Sequence, residues 1–66
     1  MDLNSNLENN KDLLRVGTEI YYFDCENYMS YTVTKIDSKG FECLESETQE
    51  LEYFFFSELQ HGWDFK

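Results

Sequence analysis

The side chains best suited to chemistry are scarce in this sequence of 66 residues, which contains one histidine, His61, and two cysteines, Cys25 and Cys43. Nucleophilic and acid–base catalysis both need such groups close together with adjusted pKa values. Zinc accepts all three side chains, but structural zinc sites typically use short ligand pairs, which these residues do not form. We therefore predict that the chain is not an enzyme, has no cofactor or metal, and keeps both cysteines reduced.

Carboxylates are the abundant chemical group. Fourteen Asp and Glu residues stand against five Lys and Arg, which gives a formal net charge of −9. A field of this sign repels nucleic-acid phosphates and anionic lipids and attracts cationic protein surfaces. Solubility alone needs a net charge of only about 2 to 8 in a small domain. The composition therefore predicts a basic protein surface as partner and argues against direct binding to nucleic acid or membrane.

The negative charge is concentrated in the second half of the chain, because residues 41–65 contain no Lys or Arg. Several of these carboxylates surround a predicted turn at 46–49, where like charges repel and a cationic partner would relieve the repulsion. The alternative is that they are separate, solvated positions facing different directions. The residues predicted to contact a basic partner are Glu42, Glu45, Glu47, Glu50, Glu52 and Glu58.

The elements that position these residues begin after a polar lead segment, residues 1–14. Ser5 and Glu8 fit a capping box, and Leu7 and Leu14 are two helical turns apart. This pattern predicts a short helix from about residue 6 to residue 13, although an extended lead segment is the alternative because asparagine is a poor helix former. A single domain, residues 15–66, follows.

Hydrophobic residues then alternate with a period of two, which is typical of strands. Val16, Thr18, Ile20 and Tyr22 share one face of the first predicted strand. Val33 and Ile36 break the alternation in the second, which predicts a bulge near residues 34 and 35. Hairpin turns are predicted at 37–40 and 46–49, and a helical turn capped by Ser57 follows the fourth strand. The five predicted strands are 16–23, 31–37, 41–45, 51–56 and 63–65.

This order of four strands, a one-turn helical link and a short fifth strand resembles the SH3-like small barrel. The resemblance rests on residues 16–22, 33–36, 40–41, 53–59 and 63, and it covers about the last fifty residues. Tudor-like, chromo-like and KOW-like modules share the same layout. The resemblance implies a mainly β, five-stranded SH3-like barrel, and it implies no particular function.

Aromatic residues form a second candidate surface. The predicted fourth strand is apolar on both faces, so Leu51, Tyr53 and Phe55 are expected to fill the barrel. The other face is expected to expose Phe54 and Phe56, joined by Tyr21 and Phe23. Exposed apolar patches of more than a few hundred Å² are rare on monomers. The lead segment, a second copy of the chain or a ligand is therefore expected to cover this surface.

Two functions fit these patterns. The leading hypothesis is a small acidic protein that inhibits or regulates a basic protein, such as one that binds nucleic acid. Carboxylates two residues apart on a strand can form a row of charge, so DNA mimicry of the kind found in phages and mobile elements is included. The alternative is an interaction module or assembly subunit that binds through the aromatic face. Without a signal peptide or an apolar span, the cytoplasm is the expected compartment.

Overall fold

The computed structural model describes residues 7, 10–23, 25–59 and 62–66, and these form one antiparallel sheet of five strands. The spatial order is β4-β3-β2-β1-β5, so three successive hairpins are followed by a last strand that returns to pair with the first. The predicted mainly β class is confirmed. The sheet is not closed into a barrel, so the predicted SH3-like barrel is not confirmed. The strands are β1 (Glu19–Phe23), β2 (Tyr28–Ile36), β3 (Gly40–Glu45), β4 (Leu51–Phe55) and β5 (Trp63–Phe65).

Two local predictions for the middle of the sheet are confirmed. The pairing of β2 with β3 shifts register between Val33 and Lys35, which places the bulge where the interrupted alternation predicted it. The following hairpin turn is closed by the Asp37 carboxylate, which accepts hydrogen bonds from the backbone N–H groups of Lys39 and Gly40, each at 2.8 Å. A Cβ atom on Gly40 would collide with a backbone carbonyl of β4, so this position requires glycine.

The described part of the lead segment, residues 7 and 10–14, forms 3₁₀ turns where a longer helix was predicted. The N–H groups of Asn10, Leu13 and Leu14 bond to carbonyls three residues earlier, and one 3₁₀ helix, η1, spans Lys11–Leu13. The proposed cap at Ser5 and Glu8 lies outside the described residues. Leu7 and Leu14 are both buried, at 0% and 3% exposure, so the two leucines meet the core as their spacing suggested. The first strand begins at Glu19, because Val16 lies in an exposed turn.

β4 has the opposite orientation to the one predicted. Cross-strand neighbours in an antiparallel pair lie on the same side of a sheet, and the register places Phe54 opposite the fully buried Phe41. Phe54 therefore faces the core. The alternate residues of β4 face outward, with 60%, 42% and 45% of their surface exposed: Leu51, Tyr53 and Phe55.

The turn before β4 fixes this register. Glu45 donates its backbone N–H to the Glu50 carbonyl at 2.9 Å, and Gln49 donates to the Glu45 carbonyl at 2.9 Å. Gln49 has φ = 61°, in the left-handed region, which lets the chain reverse within this short segment. A turn one residue longer or shorter would bring the other face of β4 to the core.

The core lies on one face of the sheet, beneath the lead segment. Ile20, Val33, Phe41 and Cys43 are at most 1% exposed, and Leu7 and Leu14 belong to the same cluster. A second 3₁₀ helix, η2 (Phe56–Glu58), leads away from β4, and the Phe56 ring packs against Phe41 at a centroid distance of 5.9 Å. The predicted cap at Ser57 is wrong, because the N-terminal cap residue is Phe55 and no side chain caps the helix.

Candidate binding surfaces

An open groove of about 390 Å³ lies on the core side of the sheet, between β4, η2 and the centre of the sheet. Its volume falls within the range of about 300 to 1,000 Å³ that is usual for ligand pockets. Most of its described lining is aromatic, and the charged groups among these residues are two carboxylates. The lining residues are Tyr22, Met29, Tyr31, Glu52, Tyr53, Phe54, Phe55, Glu58, Leu59 and Trp63.

Trp63 is the centre of the aromatic lining. Its ring lies 5.2 Å from that of Tyr22, 5.4 Å from that of Tyr31 and 4.9 Å from that of Phe54, measured between centroids. The planes are tilted by 52°, 36° and 63°, respectively, so the rings form differently oriented walls rather than one stack. The short β5 strand positions Trp63, because it pairs directly with Tyr22 of β1.

Carboxylates make the electrostatic potential of the groove negative. Glu52 is half-buried on the inner face of β4, and Glu58 is exposed at the end of η2. Burial, and then the charge of Glu52, raise the pKa of the Tyr31 phenol to about 12. The same two causes, in the same order, raise the pKa of the Cys43 thiol to about 12. Both groups therefore stay neutral at physiological pH, while the carboxylates are the groups that supply charge.

The six predicted acidic contact residues do not share one surface. Glu42 projects from the outer face of β3, where one carboxylate oxygen accepts a hydrogen bond from the Thr34 hydroxyl at 2.8 Å. Glu47 and Glu50 are exposed around the β3–β4 turn. Glu52 and Glu58 line the groove on the opposite face of the sheet from Glu42. The structure thus divides the set among an outer face, a turn and a groove.

Glu45 belongs to none of these surfaces, because its side chain is only 4% exposed. Its carboxylate accepts a hydrogen bond from the Thr48 N–H at 2.7 Å. This bond is the first of several hydrogen bonds within the turn that hold the pKa of Glu45 below its usual value. Glu45 therefore closes the turn before β4 and presents little surface, while its predicted contact with a partner stays a prediction.

The predicted aromatic surface also divides. Tyr21 and Phe23 lie on the outer face as predicted, and both rings contact Tyr28, at centroid distances of 5.5 and 6.5 Å. Phe54 and Phe56 pack against the core on the inner face, so their predicted exposure on the outer face is wrong. The described part of the lead segment contacts the core through buried leucines, and it therefore covers the inner face.

The residues that occupy the outer face in place of Phe54 and Phe56 were not predicted from the sequence. Leu51, Tyr53 and Phe55 form an exposed row on the outer face at the β4 edge, and the Tyr53 and Phe55 rings meet at 5.1 Å. The Tyr53 hydroxyl donates to the Asp37 carboxylate at 2.7 Å, which anchors this ring over the β2–β3 turn. No signal in the sequence distinguished this face, because β4 is apolar on both faces and the turn decides which of them meets the core.

Three of the five cations contact neutral groups. Arg15 donates its guanidinium to the carbonyls of Asp12 and Leu14, at 2.7 and 2.8 Å. Lys66 donates to the Ser30 hydroxyl at 3.1 Å. The Lys11 ammonium nitrogen lies 5.7 Å from the centroid of the Phe56 ring. Lys39, by contrast, acts on a carboxylate, because the hydrogen bonds from Tyr53, Lys39 and Gly40 lower the pKa of Asp37 and the charge of Lys39 adds to this effect.

Among the described residues, no group of three or more His, Cys, Asp and Glu side chains is placed to hold a metal ion. Cys25 is exposed and Cys43 is buried, and both are free thiols; His61 lies outside the described residues. Within the same ranges, no helix has the length and hydropathy needed to cross a membrane.

Comparisons of the chain with protein-family models, curated proteins and solved structures found no match.

Proposed function

We propose that this chain is a small, non-enzymatic acidic protein that inhibits or regulates a basic protein, with nucleic-acid-binding proteins as the favoured partners. The net charge of −9 is the observation that supports this proposal, together with the contacts by which Arg15, Lys66 and Lys11 reach neutral groups. Such a charge attracts cationic surfaces over a screening length of about 8 Å at physiological salt. Affinity for the partner therefore depends on ionic strength.

The exposed carboxylates of the β3–β4 turn favour DNA mimicry as the form of inhibition. Glu50 is exposed in this turn, and Glu52, which is half-buried at the groove, follows it by two residues where the chain enters β4. Two residues of an antiparallel strand advance by about 6.8 Å, which is about twice the axial rise of about 3.4 Å per phosphate of one DNA strand. Glu47 extends this negative charge around the turn.

The test is a pull-down on the immobilised protein from a lysate of the organism that carries the gene. We expect basic proteins to be retained at about 50 mM NaCl, eluted at about 200 mM NaCl, and displaced by duplex DNA. The double variant Glu47→Gln/Glu50→Gln should retain less than wild type. The control Asp12→Asn/Glu19→Gln changes the net charge equally at exposed positions elsewhere and should retain more than the turn variant. Retention of proteins that neither salt nor DNA displaces would refute the proposal.

A second candidate function is an interaction module that uses the outer aromatic face. It is favoured by the exposed side chains of Phe23, Tyr28 and Phe55, of which 55%, 57% and 45% is accessible. In this case Phe23→Ser and Phe55→Ser should abolish complex formation, whereas the glutamine variants of the turn should not. Sedimentation velocity would show whether the bound partner is a second copy of the chain.

We further infer that the sheet is an open form of the SH3-like layout. Three consecutive hairpins, the 3₁₀ link η2 and the return of β5 to β1 support this inference. An experimental structure in which β5 pairs with a strand other than β1 would exclude it.

A further inference from the structure

The groove combines negative charge with aromatic walls. An acidic surface does not need the aromatic walls, and a hydrophobic core does not need the charge. Its described lining contains two carboxylates, Glu52 and Glu58, and no Lys or Arg. It is otherwise walled by rings at different tilts around Trp63. An apolar ligand would leave the carboxylates without a partner, and an anionic ligand would be repelled by them. The groove is therefore complementary to a cation that has flat, weakly hydrated faces.

Arginine is the side chain with these properties. Its guanidinium is planar, remains charged, stacks on aromatic faces and carries five N–H donors that match carboxylate oxygens. Lysine presents a compact, strongly hydrated charge, and a quaternary ammonium group has no donors for Glu52 and Glu58. We propose that this groove binds a single arginine side chain of the basic partner, stacked on the aromatic walls and hydrogen-bonded to the two carboxylates.

One aromatic ring next to the groove lining, Phe56, already has a cation over it. The Lys11 ammonium lies 5.7 Å from the Phe56 ring centroid, within the distance of about 6 Å that is typical of cation–π contacts. Phe56 belongs to η2, as does Glu58 at the groove. The arginine site rests on the proposed function and deepens it, because it names the side chain through which the basic partner would be held.

The test uses a short peptide as probe, acetyl-Gly-Arg-Gly-amide, together with the citrulline peptide, which has the same shape without the charge. Trp63 is the only tryptophan, so its fluorescence and its indole N–H resonance report directly on the groove. We expect saturable changes at Trp63 and Leu59 with the arginine peptide and none with the citrulline peptide. The lysine peptide should bind more weakly than the arginine peptide.

Variants distinguish the effect of the two groove carboxylates from the effect of the protein's overall negative charge. Glu58→Gln and Glu52→Gln should each weaken binding of the arginine peptide by about fivefold, the upper range for partly exposed ion pairs. Glu19→Gln removes the same charge at an exposed position outside the groove and should change affinity by less than about twofold. Circular dichroism melting confirms that each variant is folded.

The outcomes distinguish this inference from the proposed function. If basic proteins are retained by the immobilised chain while the arginine peptide leaves Trp63 unchanged, the groove assignment is overturned and the proposed function stands. If the peptide binds in the groove but no basic protein is retained, the proposed function fails and the arginine site stands. Equal binding of the arginine and citrulline peptides, or equal effects of Glu58→Gln and Glu19→Gln, would also overturn the arginine site.

Discussion

Two neighbouring phenylalanines on β4 offer a matched test of the strand's orientation. Phe54 faces the core, where its ring lies 5.7 Å from that of Tyr31, 5.8 Å from that of Phe41 and 4.9 Å from that of Trp63. Phe55 faces outward with 45% of its surface exposed. The same substitution, Phe→Ala, therefore removes very different contacts at adjacent positions of one strand.

The expected costs follow from these contacts. A fully buried Phe→Ala change costs about 3 to 5 kcal/mol. Phe54 is half-buried, so Phe54→Ala should lower the free energy of unfolding by about 2 to 3 kcal/mol. This cost includes the loss of the three ring contacts. Phe55→Ala should cost less than about 1 kcal/mol. In a domain of this size, the difference in cost between Phe54→Ala and Phe55→Ala corresponds to about 10 °C in Tm.

The assay is urea unfolding followed by far-ultraviolet circular dichroism, with the midpoint and the m value fitted for wild type and both variants. The m value should stay constant, because neither change alters how much surface unfolding exposes. Phe54→Leu serves as a control that keeps an apolar side chain and should lose less than Phe54→Ala. If Phe55→Ala proved as costly as Phe54→Ala, or more so, the β3–β4 register described here would be wrong by one residue.

Three further predictions concern single side chains. Gly40→Ala should lower the free energy of unfolding by about 1 to 3 kcal/mol in the same urea assay, because its Cβ collides with the backbone of β4. Hydrogen bonds hold the pKa values of Asp37 and Glu45 below their usual values. The folded state then binds fewer protons than the unfolded state, so stability should fall as pH drops below about 4.5, and Glu45→Gln should flatten this fall. Ellman's reagent at pH 8 should modify the exposed Cys25 in the native protein and modify Cys43 only after denaturation.

Local features of the fold could be predicted because their causes are local. The turn at Asp37 needs only a carboxylate that accepts neighbouring N–H groups and a glycine beside it, and both are visible in the sequence. The bulge between Val33 and Lys35 was visible as a break in alternation. The order of strands followed from the spacing of such turns.

The orientation of β4 could not be predicted in this way. Alternation shows that every second residue of a strand shares a face, but it does not show which of the two faces meets the core. Both phases of β4 bury aromatic side chains, so hydrophobicity did not distinguish Phe54 from Phe55. The turn before β4 determines which face meets the core. In this turn Gln49 adopts a left-handed conformation, and the Glu45 carboxylate accepts a hydrogen bond from the Thr48 N–H. A glutamate counted as a surface charge is thus the residue that helps to orient the aromatic strand.

The reversal of β4 also changes how the carboxylates and the aromatic rings relate to each other. With Tyr53 and Phe55 inside, as predicted, the acidic and aromatic surfaces would have been separate. The observed register turns Phe54 inward beside Trp63 and brings Glu52 to the same face. The chain then continues through η2 to Glu58, which lines the other part of the groove. Charge and aromatic surface therefore meet at one groove, and this is why the proposed basic partner is expected to present an individual cationic side chain as well as a positive patch.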